Sequence, residues 1–599
     1  MFQSFEVTAR PEQGPPRLEA LRAEIVTEGL DGFLVPRADA HQGEYVAPRD
    51  ERLSWLTGFT GSAGFCAALC GVAGVFIDGR YRTQVKTQVA DAFTPVPWPD
   101  VQLTDWLKEQ LPQGGRIGFD PWLHTVTQIE QARTELEDCA VNLCPGENLV
   151  DRIWKDQPGP PMSPVTAHPL EFAGESHAQK RARLAHGLSK AGHAAFVITL
   201  PDSIAWLLNI RGADIPRNPI AQGFAILHRD AQVDLFMARE KLGGLDDHLG
   251  PDVHLHDPLQ FLAHLGRLTG PVGIDPASAP VAVAQALEAA DLAISHDSDP
   301  CLLPKACKNA AEIAGSSEAH LRDAVAMVDL LSWLDQQPPG SLTETAVVTR
   351  LEQARRAGNA LQDISFETIA GTGPNGAIMH YRVTTETDRT LKEGDFLVLD
   401  SGGQYLDGTT DITRTIPIGA VAKEPRRCFT RVLQGMIAIS RLRWPTGLTG
   451  RDLEAAGRIP LWQAGQDFDH GVGHGVGAYL SVHEGPQRLS RLSHVPLKPG
   501  MILSNEPGYY REGVFGIRIE NLVVVEKAPA LPGGDAHRDM LHWRTLTYVP
   551  IDRRAIVTEV LTAAERDWLN AYHRQVAEKV GPRLGKAAKT WLDAATAPI

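Results

Sequence analysis

The chain has 599 residues, of which 43% are hydrophobic and 22% are charged, an ordinary composition for a globular protein. This length is too great for one hydrophobic core, so we expect two to four domains. The net charge of −15 argues against nucleic acid or an anionic membrane as the main partner, since both favour a basic protein surface.

The N-terminal segment and the cysteines predict a cytoplasmic protein. Residues 1–11 lack the basic start and apolar core of a signal peptide, and no apolar run is long enough to span a bilayer. The seven cysteines are sparse and odd in number, which is typical of free thiols. Cys66 and Cys70 lie in an apolar run without a second cysteine pair. We therefore interpret both as buried core residues rather than metal ligands.

The first 155 residues alternate between helix and strand signals. Leu18, Leu21 and Ile25 share one helical face, and an apolar run at 32–35 predicts the strand that follows. A proline-rich break at 157–164 predicts a linker, after which the same scheme restarts.

A local signature also occurs in both of these regions. Leu-Ser-Trp-Leu-Thr-Gly-Phe-Thr-Gly, containing Trp55, resembles Ile-Ala-Trp-Leu-Leu-Asn-Ile-Arg-Gly, containing Trp206. Apolar strand-like runs follow each copy. Any two α/β segments share a helix-then-strand rhythm, but the common Trp-Leu and Gly favour two copies of one α/β domain.

A third region begins near residue 305. Four apolar residues at helical spacing predict a long amphipathic helix, namely Leu321, Val325, Val328 and Leu331. Ser341 and Glu344 have the spacing of a capping box that opens another helix, and Thr562 and Glu565 have the same spacing. We predict domains at 1–157, 158–304 and 305–599, the last with a C-terminal extension.

Five residues in the third region indicate the chemistry: Asp400, Asp411, His474, Glu506 and Glu520. The four carboxylates lie inside or at the ends of apolar, strand-like runs. A carboxylate in a buried strand is costly unless its charge is compensated, and four together would repel one another strongly. A pair of divalent cations provides that compensation, and an imidazole is a common additional ligand. The sequence therefore predicts a carboxylate-rich two-metal enzyme.

Such a ligand set, with one nitrogen and no sulfur, favours a hard or borderline cation. We expect two divalent ions per chain, with Mn²⁺ preferred and Co²⁺ or Zn²⁺ as alternatives. Two such ions lower the pKa of a bridging water, so that a hydroxide able to attack an amide exists at neutral pH.

The sequences around these residues resemble those of the pita-bread metallopeptidases, and among them they look most like Xaa-Pro aminopeptidases. The similar segments are Asp-Ser-Gly-Gly-Gln-Tyr-Leu-Asp-Gly-Thr-Thr-Asp (400–411), His-Gly-Val-Gly-His-Gly-Val-Gly (470–477), Val-His-Glu-Gly-Pro (482–486), Asn-Glu-Pro-Gly-Tyr-Tyr (505–510) and Gly-Ile-Arg-Ile-Glu-Asn (516–521). Each motif alone is weak evidence, but all five in this order are highly specific. The resemblance covers almost the whole chain, including Asp-Ala-His-Gln-Gly-Glu-Tyr (39–45).

The resemblance implies an α/β (α+β) protein: two related creatinase-like α/β domains followed by a pita-bread catalytic domain. It also implies metal-ligand roles. Asp411 and Glu520 would bridge the two ions, Asp400 would chelate one, and His474 and Glu506 would complete the other. Glu506 would also shuttle a proton from the attacking water to the leaving nitrogen.

Three further histidines and one arginine gain roles from the resemblance. His483 would hydrogen-bond the scissile carbonyl and the developing oxyanion. His380 and His470 would position the substrate around its proline. Arg518 lies two residues before Glu520, which predicts that both point to one face of a strand, where the arginine would steady the carboxylates.

The implied function is hydrolysis of the bond between an N-terminal residue and a penultimate proline in peptides, by a homodimeric enzyme. Two alternatives remain. A prolidase would be restricted to Xaa-Pro dipeptides, and a peptidase-like binding module would lack catalysis. The complete ligand set disfavours the binding module, and the two N-terminal domains disfavour a prolidase.

Overall fold

The structure is a computed structural model that describes all residues 1–599. The chain forms two compact units. One comprises Thr8–Leu170 and Glu175–Leu302, and the other comprises Met1–Val7, Glu171–Gly174 and Leu303–Ile599. No helix combines the length and the apolar character needed to cross a membrane. All seven cysteines are free, as predicted.

The first part of the unit formed by 8–170 and 175–302 contains a six-stranded mixed sheet in the order β4-β3-β2-β1-β5-β6. Leu18, Leu21 and Ile25 are buried on its first helix, as predicted. The elements are α1 (Gly14–Thr27), β1 (Gly32–Pro36), α2 (Arg52–Thr57), β2 (Phe65–Leu69), β3 (Ala73–Ile77), α3 (Val85–Gln88), β4 (Thr94–Pro97), α4 (Leu103–Gln110), β5 (Gly115–Phe119), α5 (Val126–Glu135), β6 (Val141–Pro145) and α6 (Leu149–Ile153).

The second part contains another six-stranded sheet, in the order β12-β11-β10-β8-β13-β14. Its elements are β7 (Thr166–Ala167), α7 (Leu170–Ala173), α8 (His177–Ala191), β8 (Ala195–Ile198), α9 (Pro201–Leu208), β9 (Ile210–Arg211), β10 (Phe224–His228), β11 (Val233–Phe236), α10 (Asp246–Leu249), β12 (Val253–His256), α11 (Phe261–Leu265), β13 (Val272–Ile274), α12 (Val281–Ala289) and β14 (Ile294–His296).

The two sheets have the same topology. In each, the first strand pairs antiparallel with the second and parallel with the fifth, and the third pairs parallel with the fourth. Trp55 on α2 and Trp206 on α9 both lie on the helix after the first strand. The predicted pair of related α/β domains is therefore present.

One cysteine prediction is wrong. Cys66 is buried within β2, but Cys70 lies just past the end of that strand and is exposed. The apolar run is interrupted there by the turn into β3, which turns the Cys70 side chain away from the core.

The unit that contains 303–599 is built on four sheets, one of six strands and three of two or three strands, with strand orders β15-β18-β19, β16-β17-β20, β21-β28-β27-β24-β22-β23 and β25-β26. Its helices are α13 (Leu302–Ala306), α14 (Ala310–Leu334), α15 (Glu344–Ala357), α16 (Lys423–Ser440), α17 (Gly450–Leu453), α18 (Ala455–Trp462), α19 (Ala563–Val580) and α20 (Lys586–Ala595). Its strands are β15 (Leu361–Ile364), β16 (Ile369–Thr372), β17 (Phe396–Ser401), β18 (Gly403–Tyr405), β19 (Gly408–Thr409), β20 (Ile412–Pro417), β21 (Arg443–Pro445), β22 (Gly473–Gly475), β23 (Glu484–Leu489), β24 (Ile502–Asn505), β25 (Gly508–Arg511), β26 (Phe515–Arg518), β27 (Asn521–Lys527) and β28 (Met540–Thr545).

The helix-start predictions have mixed outcomes. Thr562 and Glu565 form the predicted capping box of α19. The box predicted at Ser341 is wrong, because α15 begins one residue after Thr343 and Glu344 is its first residue. The Glu344 carboxylate is buried and accepts hydrogen bonds from the Thr372 backbone N–H and the Tyr381 hydroxyl instead.

Candidate metal centre

The five predicted ligands come from three different sheets or their edges. Asp400 lies within β17, Asp411 immediately precedes β20, His474 is the middle residue of β22, Glu506 follows β24, and Glu520 lies between β26 and β27. Ligand atoms of Asp411, His474 and Glu520 all lie within 4.8 Å of one another. His474 Nε2 is 3.5 Å from Asp411 Oδ2 and 3.4 Å from Glu506 Oε1. The fold thus gathers residues that are up to 120 positions apart in sequence.

Thr413 joins the carboxylates of two sheets. It pairs directly with Asp400 across β17 and β20. Its hydroxyl donates to Glu520 Oε2 at 2.9 Å, and its carbonyl accepts the Glu520 backbone N–H at 3.1 Å. Asp400 and Glu520 are therefore held by one residue of β20.

Hydrogen bonds also fix the orientation of His474. Its Nδ1 lies 2.9 Å from the Gly475 carbonyl oxygen, which can only accept, so Nδ1 carries the proton. The Nε2 lone pair is consequently free to face the carboxylates. The Ser504 hydroxyl accepts the His474 backbone N–H and donates to Glu506 Oε1 at 3.0 Å. This is the arrangement that a metal-ligating histidine requires.

The electrostatics of the cluster are unfavourable without added positive charge. Burial raises the pKa of Asp411, Glu520 and Glu506. Repulsion from neighbouring carboxylates raises the pKa of Asp411 and Glu520 further. Arg518 compensates part of this charge through an ion pair of 2.6 Å with Asp400 Oδ2.

Three carboxylate oxygens provide a test of whether metal ions fit. Asp400 Oδ1, Asp411 Oδ1 and Glu520 Oε1 are buried and have no hydrogen-bond partner. A buried oxygen without a partner is costly, and unpartnered oxygens on adjacent carboxylates are the ligands that divalent cations prefer. The residues present therefore fit divalent ions.

The structure connects two of the predicted pocket residues through a residue that the sequence did not single out. Tyr510 accepts a hydrogen bond from Arg518 Nη1 at 2.7 Å. His470 Nδ1 donates to the Gly471 carbonyl, so His470 Nε2 accepts from the Tyr510 hydroxyl at 2.9 Å. Burial raises the pKa of Tyr510 to about 12, so the hydroxyl keeps its proton. The motif 505–510 contains this tyrosine and could have signalled it.

His483 and His380 are placed by their surroundings. The His483 ring lies 4.3 Å from the His474 ring, centroid to centroid, in an edge-on arrangement. His380 follows Met379, whose carbonyl accepts from Arg518 Nη1 at 3.4 Å. His483 is therefore beside the ligand cluster, and the His380 loop contacts the same arginine that pairs with Asp400.

A buried ion-pair network that the sequence did not reveal lies beside His483. The carboxylate of Glu484, the next residue, pairs with the ammonium groups of Lys305, at 3.2 Å, and Lys308. All three side chains are at most 1% exposed. The lysines are distant in sequence and carry no motif, so only the fold identifies their role in anchoring this segment.

The prediction for Arg518 and Glu520 requires a correction. The run 516–525 is not one strand: β26 ends at Arg518, and Glu520 lies before β27, which belongs to a different sheet. The two side chains still converge on the carboxylate cluster. Thr413 contacts both of them, at 3.2 Å from Arg518 Nε and 2.9 Å from Glu520 Oε2.

Family comparisons agree with this arrangement. Metallopeptidase family M24 matches residues 314–527, and the C-terminal region of that peptidase family matches 539–599. Creatinase/prolidase N-terminal domains match 17–153 and 156–312. The fold is thus two creatinase-type α/β domains followed by a pita-bread catalytic domain.

Relatives that match over the full length identify a narrower family within these metallopeptidases. Aminopeptidase P2 of Arabidopsis thaliana is 37% identical over 95% of this chain and 86% of its own length. A probable Xaa-Pro aminopeptidase P of Laccaria bicolor is 36% identical over 97% of this chain and 93% of its own. The chain belongs to the Xaa-Pro aminopeptidase P family.

A solved structure supports the same assignment. X-prolyl aminopeptidase from Caenorhabditis elegans, described as a cytosolic enzyme with a di-nuclear active site, matches with a TM-score of 0.92 at 31% identity. The match covers 98% of this chain and all of that one. Both N-terminal domains and the catalytic domain therefore have counterparts in a single known enzyme.

Proposed function

We propose that this protein is a dinuclear-metal aminopeptidase that removes the N-terminal residue from peptides whose second residue is proline. The observation that carries the proposal is the cluster of buried carboxylates, three of which have an oxygen without a partner, converging with His474 Nε2. Family membership over the full length supports the aminopeptidase over the prolidase.

We assign the metal-ligand roles that the family resemblance implies. Asp411 and Glu520 would bridge two ions, Asp400 would chelate one of them, and His474 with Glu506 would complete the other. The position of Asp411, close to both His474 and Glu520, supports this assignment. When bound, the ions supply positive charge and activate water for attack on the amide.

Glu506 is the candidate for proton transfer. Burial raises its pKa, which suits a carboxylate that accepts a proton from the attacking water and releases it to the leaving nitrogen. The hydrogen bond from Ser504 to Oε1 holds the carboxylate in place. The side chain is 16% exposed, which is consistent with contact to a bound substrate.

The three histidines are proposed to act on the peptide. His483, adjacent to His474, would donate to the scissile carbonyl oxygen as charge develops on it. His470, oriented by Tyr510, and His380 would position the chain around the proline ring. Arg518, paired with Asp400, would steady the carboxylates.

Four finer features belong to the same proposal. Mn²⁺ is the expected ion, with Co²⁺ or Zn²⁺ as alternatives, because oxygen ligands outnumber nitrogen. A homodimer follows from the family resemblance, and a cytoplasmic location is supported by the Caenorhabditis elegans relative, described as cytosolic. The domain boundaries 1–157, 158–304 and 305–599 are retained as our division of the chain.

Matched peptides test the proposed specificity. Metal-stripped protein resupplied with Mn²⁺, Co²⁺ or Zn²⁺ should cleave Arg-Pro-Pro with a kcat/KM at least about 10- to 100-fold above that for Arg-Ala-Pro, the scale on which one pocket discriminates by shape. Equal values would indicate a general aminopeptidase. Cleavage of Arg-Pro without cleavage of Arg-Pro-Pro would indicate a prolidase.

A further inference from the structure

A second cluster of metal-ligating side chains lies in the second α/β domain. Asp234 on β11 is surrounded by three imidazoles. Its Oδ1 is 2.6 Å from His256 Nε2, and its Oδ2 is 2.7 Å from His228 Nε2 and 3.2 Å from His264 Nε2. Ligand atoms of Asp234, His256 and His264 all lie within 4.8 Å of one another.

The sheet explains why these residues meet. Asp234 pairs with Ile226 of β10 and with His254 of β12. His228 and His256 are each two residues beyond those partners, so their side chains emerge on the same face as Asp234. Helix α11 packs over that face and contributes His264, whose ring lies 4.8 Å from that of His256.

We propose that Asp234, His256 and His264, with His228 as the fourth ligand, bind a divalent transition-metal ion of the zinc class. Three imidazole nitrogens and one carboxylate oxygen form a four-coordinate set typical of zinc. The three histidine side chains are 22–25% exposed, which leaves the ion a route to the site. This site is separate from the proposed catalytic centre and does not depend on it.

The side chains must shift to hold an ion, because the ligand atoms of Asp234, His256 and His264 lie within 4.8 Å of one another and His228 has to join them through its contact with Asp234. Ligand atoms about 2.0–2.2 Å from a tetrahedral zinc ion are about 3.3 Å apart, so the Asp234 oxygens, which lie 2.6–3.2 Å from the imidazole nitrogens, would move slightly away from them.

The first α/β domain shows that this fold does not require the polar cluster. Strand pairing makes Gly74 the counterpart of Asp234, and Val96 the counterpart of His256. Trp106 of α4 packs edge-on against Phe76 there, as His264 of α11 packs edge-on against Phe236. Apolar side chains thus fill the equivalent space in the first domain, whereas the second places ligand-type residues in it.

Metal stoichiometry tests the proposal. Full-length protein stripped by chelation and equilibrated with Zn²⁺ should bind one ion more per chain than the double variant His256→Gln with His264→Gln. The matched control is His254→Gln, the same change on the same strand, at an exposed histidine that bonds Gln232 instead. It should bind as many ions as the wild type.

Repeating the comparison in Glu520→Gln protein shows whether the difference in stoichiometry depends on metal bound at the proposed catalytic centre. The difference of one ion should persist there, whatever becomes of the proposed peptidase activity. Equal stoichiometry in wild type and double variant would overturn the proposal and leave the cluster a hydrogen-bonded network.

A measurement on the wild type alone guards against a variant that fails to fold. Crystals of the full chain equilibrated with Zn²⁺ should show a zinc-edge anomalous peak between Asp234 and the three imidazoles. No peak at that position would overturn the proposal independently of any substitution.

Discussion

The molecule contains two clusters of side chains of the types that bind metals, and the two differ in their ratio of carboxylates to histidines. The cluster around Asp411 and Glu520 has four carboxylates and one histidine, and three of its oxygens have no partner. The cluster around Asp234 has one carboxylate, and three histidines stand within hydrogen-bonding distance of it. The first therefore lacks partners that cations could supply, whereas the polar atoms of the second are already paired with one another. Bound cations are therefore expected to stabilise the first cluster strongly and the second only weakly.

We expect the largest loss of activity from substitutions within the carboxylate cluster. Asp411→Asn or Glu520→Gln removes a charged ligand that we place between two ions. Metal occupancy should fall together with turnover, by about 10³-fold or more, since changes one contact further out typically cost 10–100-fold. Elemental analysis beside the kcat for Arg-Pro-Pro measures both. Normal metal content with near-normal turnover would show the assignment to be wrong.

A change at His483, which we propose contacts the substrate rather than the metal, should separate loss of turnover from loss of metal. His483→Ala should retain the ions, because we place this residue outside the ligand set. Turnover should fall by about 10²-fold, the usual effect of losing one oxyanion donor. Loss of metal in this variant would make His483 a ligand instead.

The folding stability of the metal-free protein should depend on pH because the carboxylates of the catalytic-domain cluster lie close together. Burial raises the pKa of Asp411 and Glu520 above the ordinary value, so the folded state holds protons that the unfolded state releases. Their contribution to stability is full below the ordinary carboxyl range, about pH 4, and is lost as the pH rises through the raised values.

In chelator, Glu520→Gln should therefore raise the Tm more at pH 8 than at pH 5, because an amide carries no charge to repel its neighbours. Calorimetry at both pH values gives the comparison. A larger gain at pH 5 would contradict the proposed charge crowding.

The histidine cluster should make the folding stability depend on pH in the opposite direction and to a smaller extent. Burial lowers the pKa of His264, so the unfolded state binds the extra proton. This contribution to stability is present above the ordinary histidine value, about pH 6.5, and is lost as the pH falls through the lowered value. In metal-free protein, His264→Gln should reduce the loss of Tm between pH 7 and pH 5, and His254→Gln should leave it unchanged. An identical loss in all three proteins would exclude titration of His264.

The sequence pointed to the residues of the carboxylate cluster because each of them carries a local signal. Asp400 and Glu506 interrupt or end apolar runs, and His474 stands among glycines. The same reasoning was wrong for Glu344, whose side chain points inward to bond the distant Thr372. It was also wrong for the strand around Glu520, because the chain passes there from one sheet to another. The repeated Trp55 and Trp206 signature correctly indicated two related domains.

The Asp234 cluster could not have been predicted from local patterns. Its histidines lie at ordinary positions on three different elements, and each alone resembles a surface residue. Only the pairing of β10, β11 and β12, with α11 packed above, brings them to one carboxylate. The lysines that hold Glu484 were missed for the same reason, because long-range pairing leaves no signal in short windows of sequence.

The most direct test of the central claim is a metal titration of the activity. The double variant His256→Gln with His264→Gln, stripped of metal, should bind two Mn²⁺ ions per chain, and kcat/KM for Arg-Pro-Pro should rise with occupancy and saturate at two. The same protein carrying Glu520→Gln should remain inactive throughout. Full activity in the stripped protein, or activity restored in the presence of Glu520→Gln, would contradict the account.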